Sequence, residues 1–284
     1  MRRYSSALAA TIAAIAPLIA ASAASAATLS RQAADLLTLD AASSEYAASY
    51  SSLSEAYGNQ ATSHSLSFED WFTINSFINH EKAAYGSSGA QLDELVALDI
   101  NALTWETGVQ DVEVFFVNEG AANRNKLGYA TTAPVAGSGQ SLPKFWNNNV
   151  SVIWSDLASP NSILAESNGP LTLGQGYRIG DVAAGSTLNF FLRNPGNKVF
   201  DSLSAETTQN ADGLQHVTTY RYGEYLVLAY EDIYNGGDMD YNDVVIAVRG
   251  LADTETVDVP EPTGILALLG LSLVGAVAKR QRQS

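Results

Sequence analysis

The 284-residue chain contains no cysteine, three histidines and two methionines. Without thiols there is no disulfide, no thiolate metal site and no thiol nucleophile, so stability must come from core packing, with or without a metal. The histidines are His64, His80 and His216. None sits in H-E-x-x-H or beside another, which excludes a zincin. There is no G-x-S-x-G elbow either. A Ser-His-Asp triad and a carboxylate pair for glycoside hydrolysis stay open, because their members need not be adjacent in sequence. Basic residues are also scarce, with 15 Lys/Arg against 30 Asp/Glu and a net charge of −15. Five of those bases, Arg2, Arg3, Lys279, Arg280 and Arg282, lie at the two ends, so the body is more acidic still. Such a balance argues against nucleic acid and anionic membrane surfaces as partners and favours divalent cations. Solubility alone would also account for an acidic exported chain, so charge does not decide between them.

The ends carry handling signals. Arg2 and Arg3 form a positive n-region, Leu8 to Ala20 an apolar h-region, and Ala24-Ser25-Ala26 a small-residue cleavage site. This order is that of a secretory signal peptide, cut after Ala26, with Ala24 and Ala26 as the cleavage residues. The alternative is a buried N-terminal helix. At the other end Val259-Pro260-Glu261-Pro262 precedes an apolar run, Ile265 to Ala278, and the basic Lys279-Arg280-Gln281-Arg282. The run is about 14 residues, short of the roughly 20 that span a bilayer comfortably, and the basic end would stay on the cytoplasmic side. This tail resembles the PEP-CTERM sorting signal of exported Gram-negative proteins. The resemblance implies transient inner-membrane insertion and processing by an exosortase, with Pro260, Glu261 and Pro262 at the recognition site. It also implies a host that makes extracellular polysaccharide. A permanent C-terminal anchor is the alternative, and it too leaves the domain outside the cytoplasm.

The remaining body of about 225 residues is enough for one good-sized core or two small ones. Residues 27–91 read as helical. Leu29, Ala33, Leu36, Leu37 and Ala41 fall at helical spacing, and Tyr46, Tyr50, Leu53 and Tyr57 continue it up to Gly58-Asn59. A second helix is predicted from Phe68 to Tyr85, with Ser67 as N-cap and Asp70 three residues on. Its stripe of Trp71, Ile74, Phe77 and Ile78 is read as core. From 92 to 250 short β-branched segments alternate with Gly/Asn/Pro turns: 109–118, 150–154, 176–179, 186–192, 216–221, 225–231 and 244–249. The fold class is therefore mainly β: an antiparallel β-sandwich, jelly-roll-like, with an N-terminal helical segment. Residues 251–258 form an acidic linker before the sorting signal at 259–284.

One segment concentrates chemistry. Residues 231–243 join the last two predicted strands and read EDIYNGGDMDYND, with the carboxylates Glu231, Asp232, Asp238, Asp240 and Asp243. Crowded carboxylates repel one another, and a hard divalent cation removes that repulsion while using their oxygens as ligands. Calcium takes six to eight oxygens in flexible geometry. Asp238, Asp240 and Asn242 are spaced like the start of an EF-hand, but Asp243 stands where Gly is needed and Arg249 where Glu is needed, so an EF-hand is rejected. A hairpin built on Asn235-Gly236 and Asx turns, without metal, is the alternative. In the same region Trp105, Trp146 and Trp154 either fill the core or, as with Trp146 before Asn147-Asn148-Asn149, stack on a sugar.

Tyr230-Glu231-Asp232 followed by Gly236-Gly237-Asp238-Met239-Asp240-Tyr241-Asn242-Asp243-Val244-Val245 resembles the C-terminal signature of the family called domain of unknown function 4114. Val114-Phe115-Phe116 and Asn125-Lys126-Leu127-Gly128-Tyr129 extend the resemblance over about 92–250. It implies an exported β-rich domain with an acidic, calcium-binding hairpin loop, and no known enzyme activity. The expectation is an exported, non-catalytic β-domain binding calcium through Glu231, Asp232, Asp238, Asp240 and Asp243. It would act in the cell envelope, at the cell surface or in the extracellular polysaccharide matrix of a Gram-negative bacterium. A calcium-dependent carbohydrate-binding module is the first alternative and a polysaccharide hydrolase the second.

Overall fold

In the computed structural model the described residues are 27–84, 96–98, 106–107, 111–131, 142–180, 182, 186–195, 203–204 and 210–250. Both end signals, with Ala24, Ala26, Pro260, Glu261 and Pro262, lie outside them, as does Trp105. Among the described residues no helix is long and apolar enough to cross a membrane.

Three helices come first: α1 (Leu29–Leu36), α2 (Ser44–Gln60) and α3 (Phe68–Ala84). The single long helix expected from Leu29 to Tyr57 is broken. Asp40 Oδ1 accepts from the Ala42 amide at 3.0 Å, and Ser43 Oγ accepts from Tyr46 N at 3.0 Å to start α2. Short polar side chains compete for backbone amides in this way and favour caps over helix interiors. Gly58 and Asn59 lie inside α2, not beyond it. The start of α3 is as expected: Ser67 Oγ accepts from Asp70 N at 3.1 Å and returns a bond to Asp70 Oδ2 at 2.7 Å.

The strands that follow are β1 (Val96–Leu98), β2 (Glu106–Thr107), β3 (Val112–Glu119), β4 (Lys126–Ala130), β5 (Ser151–Trp154), β6 (Gly176–Gly180), β7 (Ser186–Thr187), β8 (Asn189–Arg193), β9 (Leu203–Ser204), β10 (Val217–Tyr222), β11 (Tyr225–Tyr230) and β12 (Val244–Arg249). A helix, α4 (Leu142–Asn149), precedes β5. They form a six-stranded sheet in the order β1-β10-β11-β12-β3-β6, a four-stranded sheet β5-β4-β8-β9 and a small pair β2-β7. The pairings are antiparallel. The protein is mainly β, with antiparallel sheets behind a helical N-terminal segment.

The large sheet is covered on both faces. Phe116 of β3 meets Trp154 of the smaller sheet edge-on, with ring centroids 6.3 Å apart. From the helices, Trp71 is fully buried and donates through Nε1 to the Val117 carbonyl at 3.0 Å, and Phe77 meets Tyr220 edge-on at 5.1 Å. Double coverage explains the composition of β11 (YLVLAY) and β12 (VVIAVR). Both are nearly continuous apolar runs, as strands buried on two faces are. One core therefore holds residues of the helices and both sheets together. Trp146 and Trp154 are buried, so packing and not sugar stacking is their role; Trp146 sits in a satellite cluster with Ala130, Phe145 and Phe191. Five elements fall outside the predicted segments: β1, β2, β4, β9 and α4. In β4, Gly128 interrupts the strand pattern. In α4, Pro143 and a run of Asn hide the helical period.

Candidate metal centre at the last hairpin

The chain leaves β11 at Tyr230 and enters β12 at Val244, so residues 231–243 are the hairpin loop that the sequence placed there. Its backbone is unusual. Asn235, Met239 and Tyr241 adopt positive φ of 65°, 58° and 49°, a region that non-glycine residues enter at a cost. Gly237 has φ 47° and ψ −127°, and a Cβ there would collide with Glu231 Oε1. Gly120, at the end of β3, is close-packed too: a Cβ would lie 2.8 Å from the Asn242 carbonyl oxygen.

Hydrogen bonds hold the loop at both ends. The Glu231 amide donates to the His216 carbonyl at 2.9 Å. The buried His216 ring contacts the Glu231 carbonyl through Nδ1 at 3.1 Å and Asp212 Oδ2 through Nε2 at 2.8 Å. Asp212 Oδ2 also accepts from Asn235 N at 3.1 Å, which ties the loop to the 210–216 turn. Asp243 Oδ2 accepts from the Asp232 amide at 2.8 Å. Asp240 takes both the Asn242 amide, at 3.2 Å, and its side-chain Nδ2, at 2.9 Å.

The five predicted acids divide. Glu231, Asp238 and Asp240 each offer a carboxylate oxygen within 4.8 Å of the others, an arrangement able to hold a metal ion. Glu231 is 1% exposed, and its Oε2 has no hydrogen-bond partner. Asp232 is directed elsewhere: its carboxylate accepts from Asn123 Nδ2 at 3.2 and 3.3 Å and from Asn125 Nδ2 at 2.6 Å. Asp243 braces the base of the loop. Sequence reading missed Glu119, the last residue of β3, which is fully buried with neither carboxylate oxygen partnered. Its signal was an acid at the end of a largely apolar strand, just before a glycine.

Burial sets the electrostatics. It pushes the Glu119 carboxyl up to about 9, with Glu166, Asp232, Asp243 and Asp156 adding to the shift. Burial likewise raises Glu231, reinforced by Asp243, Asp238 and Asp240. It raises Asp232 against the lowering effect of Asn125 and Asn123, and it raises Asp243, helped by Asp232. An acid whose folded pKa lies above its unfolded value binds more protons when folded, so stability falls as pH climbs between the two. For Glu119 that window runs from 4.5 to about 9. The melting temperature of the chelated protein is expected to drop steadily from about pH 5 to about pH 8. A flat or rising profile by scanning calorimetry would contradict these assignments.

Gly237→Ala tests the loop geometry separately. The new methyl needs the space of the Glu231 carboxylate and must adopt a backbone region that glycine alone enters readily. A loss of about 2 kcal/mol or more is expected in a denaturant titration. An unchanged midpoint would mean that the loop does not hold this conformation.

Among the described residues, fold and site together define a mainly β protein whose last hairpin is acidic, carries positive-φ backbone and brings three carboxylates together. Residues 178–251 match the family described as Domain of unknown function (DUF4114), and this match contains the whole loop. It begins in β6, so it is narrower than the resemblance over about 92–250. Residues 258–283 match the PEP-CTERM protein-sorting motif. The protein is thus an exported one of a Gram-negative bacterium, with a tail recognised by an exosortase. No curated protein matches the chain, and no solved structure matches it.

Proposed function

We propose that the exported domain is a non-catalytic, calcium-stabilised module of the cell envelope or extracellular polysaccharide matrix. The observation that carries this reading is the convergence of Glu231, Asp238 and Asp240 within 4.8 Å around a buried carboxylate with an unpartnered oxygen. Three acids at that spacing repel one another, and burial of Glu231 denies it solvent screening. A hard cation relieves both costs. Calcium suits the set because the donors are all oxygens, the loop geometry is irregular and the exposed Asp238 leaves room for water ligands. Outside the cell such an ion would rigidify the hairpin that closes β11 on β12. Asp232 and Asp243 act in this reading as braces that hold the loop ends.

The test is a calcium titration by calorimetry of the chelated protein. Saturable heat is expected, and Asp238→Ala with Asp240→Ala should remove the hairpin's share of it. An isotherm unchanged in the double variant would place the ion elsewhere.

One observation favours the carbohydrate alternative. A cleft of about 430 Å³ lies beside the loop, lined by Asp238, Asp240 and Asn242 together with Arg31, Asn79 and Leu164. A polyol could reach the open positions of an ion held there. A glycan array read with calcium and with chelator separates the two readings. Retention only with calcium would make the domain a lectin, and no retention would leave the structural role.

A further inference from the structure

Alternation along paired strands sends neighbouring side chains to opposite faces. Glu119 is the register partner of Val244, and Val244 is the partner of Tyr230. These three side chains therefore share one face, and Asp232, two residues beyond Tyr230, returns to it. Asn125, just before β4 of the smaller sheet, reaches Asp232 at 2.6 Å, so Asp232 points into the space between the sheets. At this end of the sandwich three acceptor oxygens have no donor: Oε1 and Oε2 of Glu119 and Oδ1 of Asn125. Both residues have zero exposure. The Asn125 oxygen belongs to the same amide that bonds Asp232, which places it beside that carboxylate.

Buried acceptors without donors are rare and expensive. The nearby cation does not resolve them: Arg124 spends its guanidinium on Asp156 and Asn168. A water could donate to two of the oxygens, and burial, which lifts the Glu119 carboxyl to about 9, lets a proton occupy one of them, but neither satisfies the whole set. A small cation bonded through oxygen would satisfy all three at once and take the place of that proton.

We infer that Glu119, Asp232 and Asn125 form a second, interior site for a hard divalent cation of the calcium type, separate from the hairpin site. Two carboxylates can supply up to four oxygens and the amide a fifth, with water completing the shell. Because Glu119 belongs to the large sheet and Asn125 borders the smaller one, this ion would join the two layers, whereas an ion at Glu231, Asp238 and Asp240 fixes the loop alone. The inference does not depend on the hairpin reading.

The experiment counts calcium bound per exported chain by native mass spectrometry after chelation and return of Ca²⁺. Two ions are expected for the natural protein. Glu119→Gln, which keeps the shape and removes the charge, should keep one, and Asp238→Ala with Asp240→Ala should also keep one. Should Glu119→Gln fail to fold, Asn125→Ala serves instead, with the interior ion's affinity falling about tenfold or more. A single ion that both interior variants retain and the hairpin variant loses would overturn the interior site and leave water there. A single ion lost with Glu119→Gln and kept by the hairpin variant would uphold the interior site and sink the hairpin reading. No bound ion at all would end both.

Discussion

Calcium added to the chelated protein is expected to raise its melting temperature by about 5–10 °C at a hundredfold excess over Kd. A ligand that binds only the folded state adds about 2.7 kcal/mol at that excess, and each kcal/mol moves Tm by about 2–4 °C in a domain of this size. The shift should grow with pH. Glu119, Glu231, Asp232 and Asp243 all have raised carboxyl pKa values, so at low pH calcium must displace protons, whereas near pH 8 it meets more of the charge it neutralises. Asp238→Ala with Asp240→Ala should remove the part of the shift that belongs to the hairpin. It should also raise the stability of the chelated protein slightly, because two mutually repelling acids are gone. A melt unmoved by calcium at pH 8 would reduce the loop to a hydrated turn.

The second large effect lies far from the loop. Trp71→Ala is expected to cost about 3–5 kcal/mol, the usual range for emptying a large aromatic from a core, out of a total that rarely exceeds about 15. Trp71 is fully buried, stacks on Tyr57 at 4.8 Å and bonds the Val117 carbonyl in β3. Its removal strips the helix side of the large sheet, so helices and strands should melt together at a lower temperature. Trp71→Phe keeps an aromatic ring but loses the indole N–H and part of the ring volume, with a smaller cost of about 2 kcal/mol. Two separate transitions by circular dichroism, the later one unmoved by Trp71→Ala, would show the helical segment to be an independent unit.

Period and turn chemistry made much of this fold legible. The Ser67 cap with Asp70, the aromatic stripe of α3 and the strand β12 stand where the sequence put them, because each is a local signal. The break at 37–43 was not legible, since it depends on Asp40 and Ser43 winning backbone amides from a helix that apolar spacing alone would continue. Double coverage of β11 and β12 was written in their unbroken apolar runs, but only the packed helices reveal what covers the second face. At the candidate site the loop was visible as a density of acids. Its division was not. Glu231 faces Asp238 and Asp240 while Asp232 faces Asn123 and Asn125, an outcome of strand alternation and of a β3–β4 connection over 100 residues away in sequence. Glu119 escaped for the same reason, since one acid at a strand end looks ordinary until its neighbours in space are known.

The most direct test of a calcium-holding hairpin is a crystal structure of the exported protein grown with Ca²⁺, with the ion placed by anomalous scattering. An anomalous peak is expected among Glu231, Asp238 and Asp240, with oxygens at about 2.3–2.6 Å. Carboxylates left splayed apart around ordinary water, with no peak in the loop at millimolar calcium, would contradict the account.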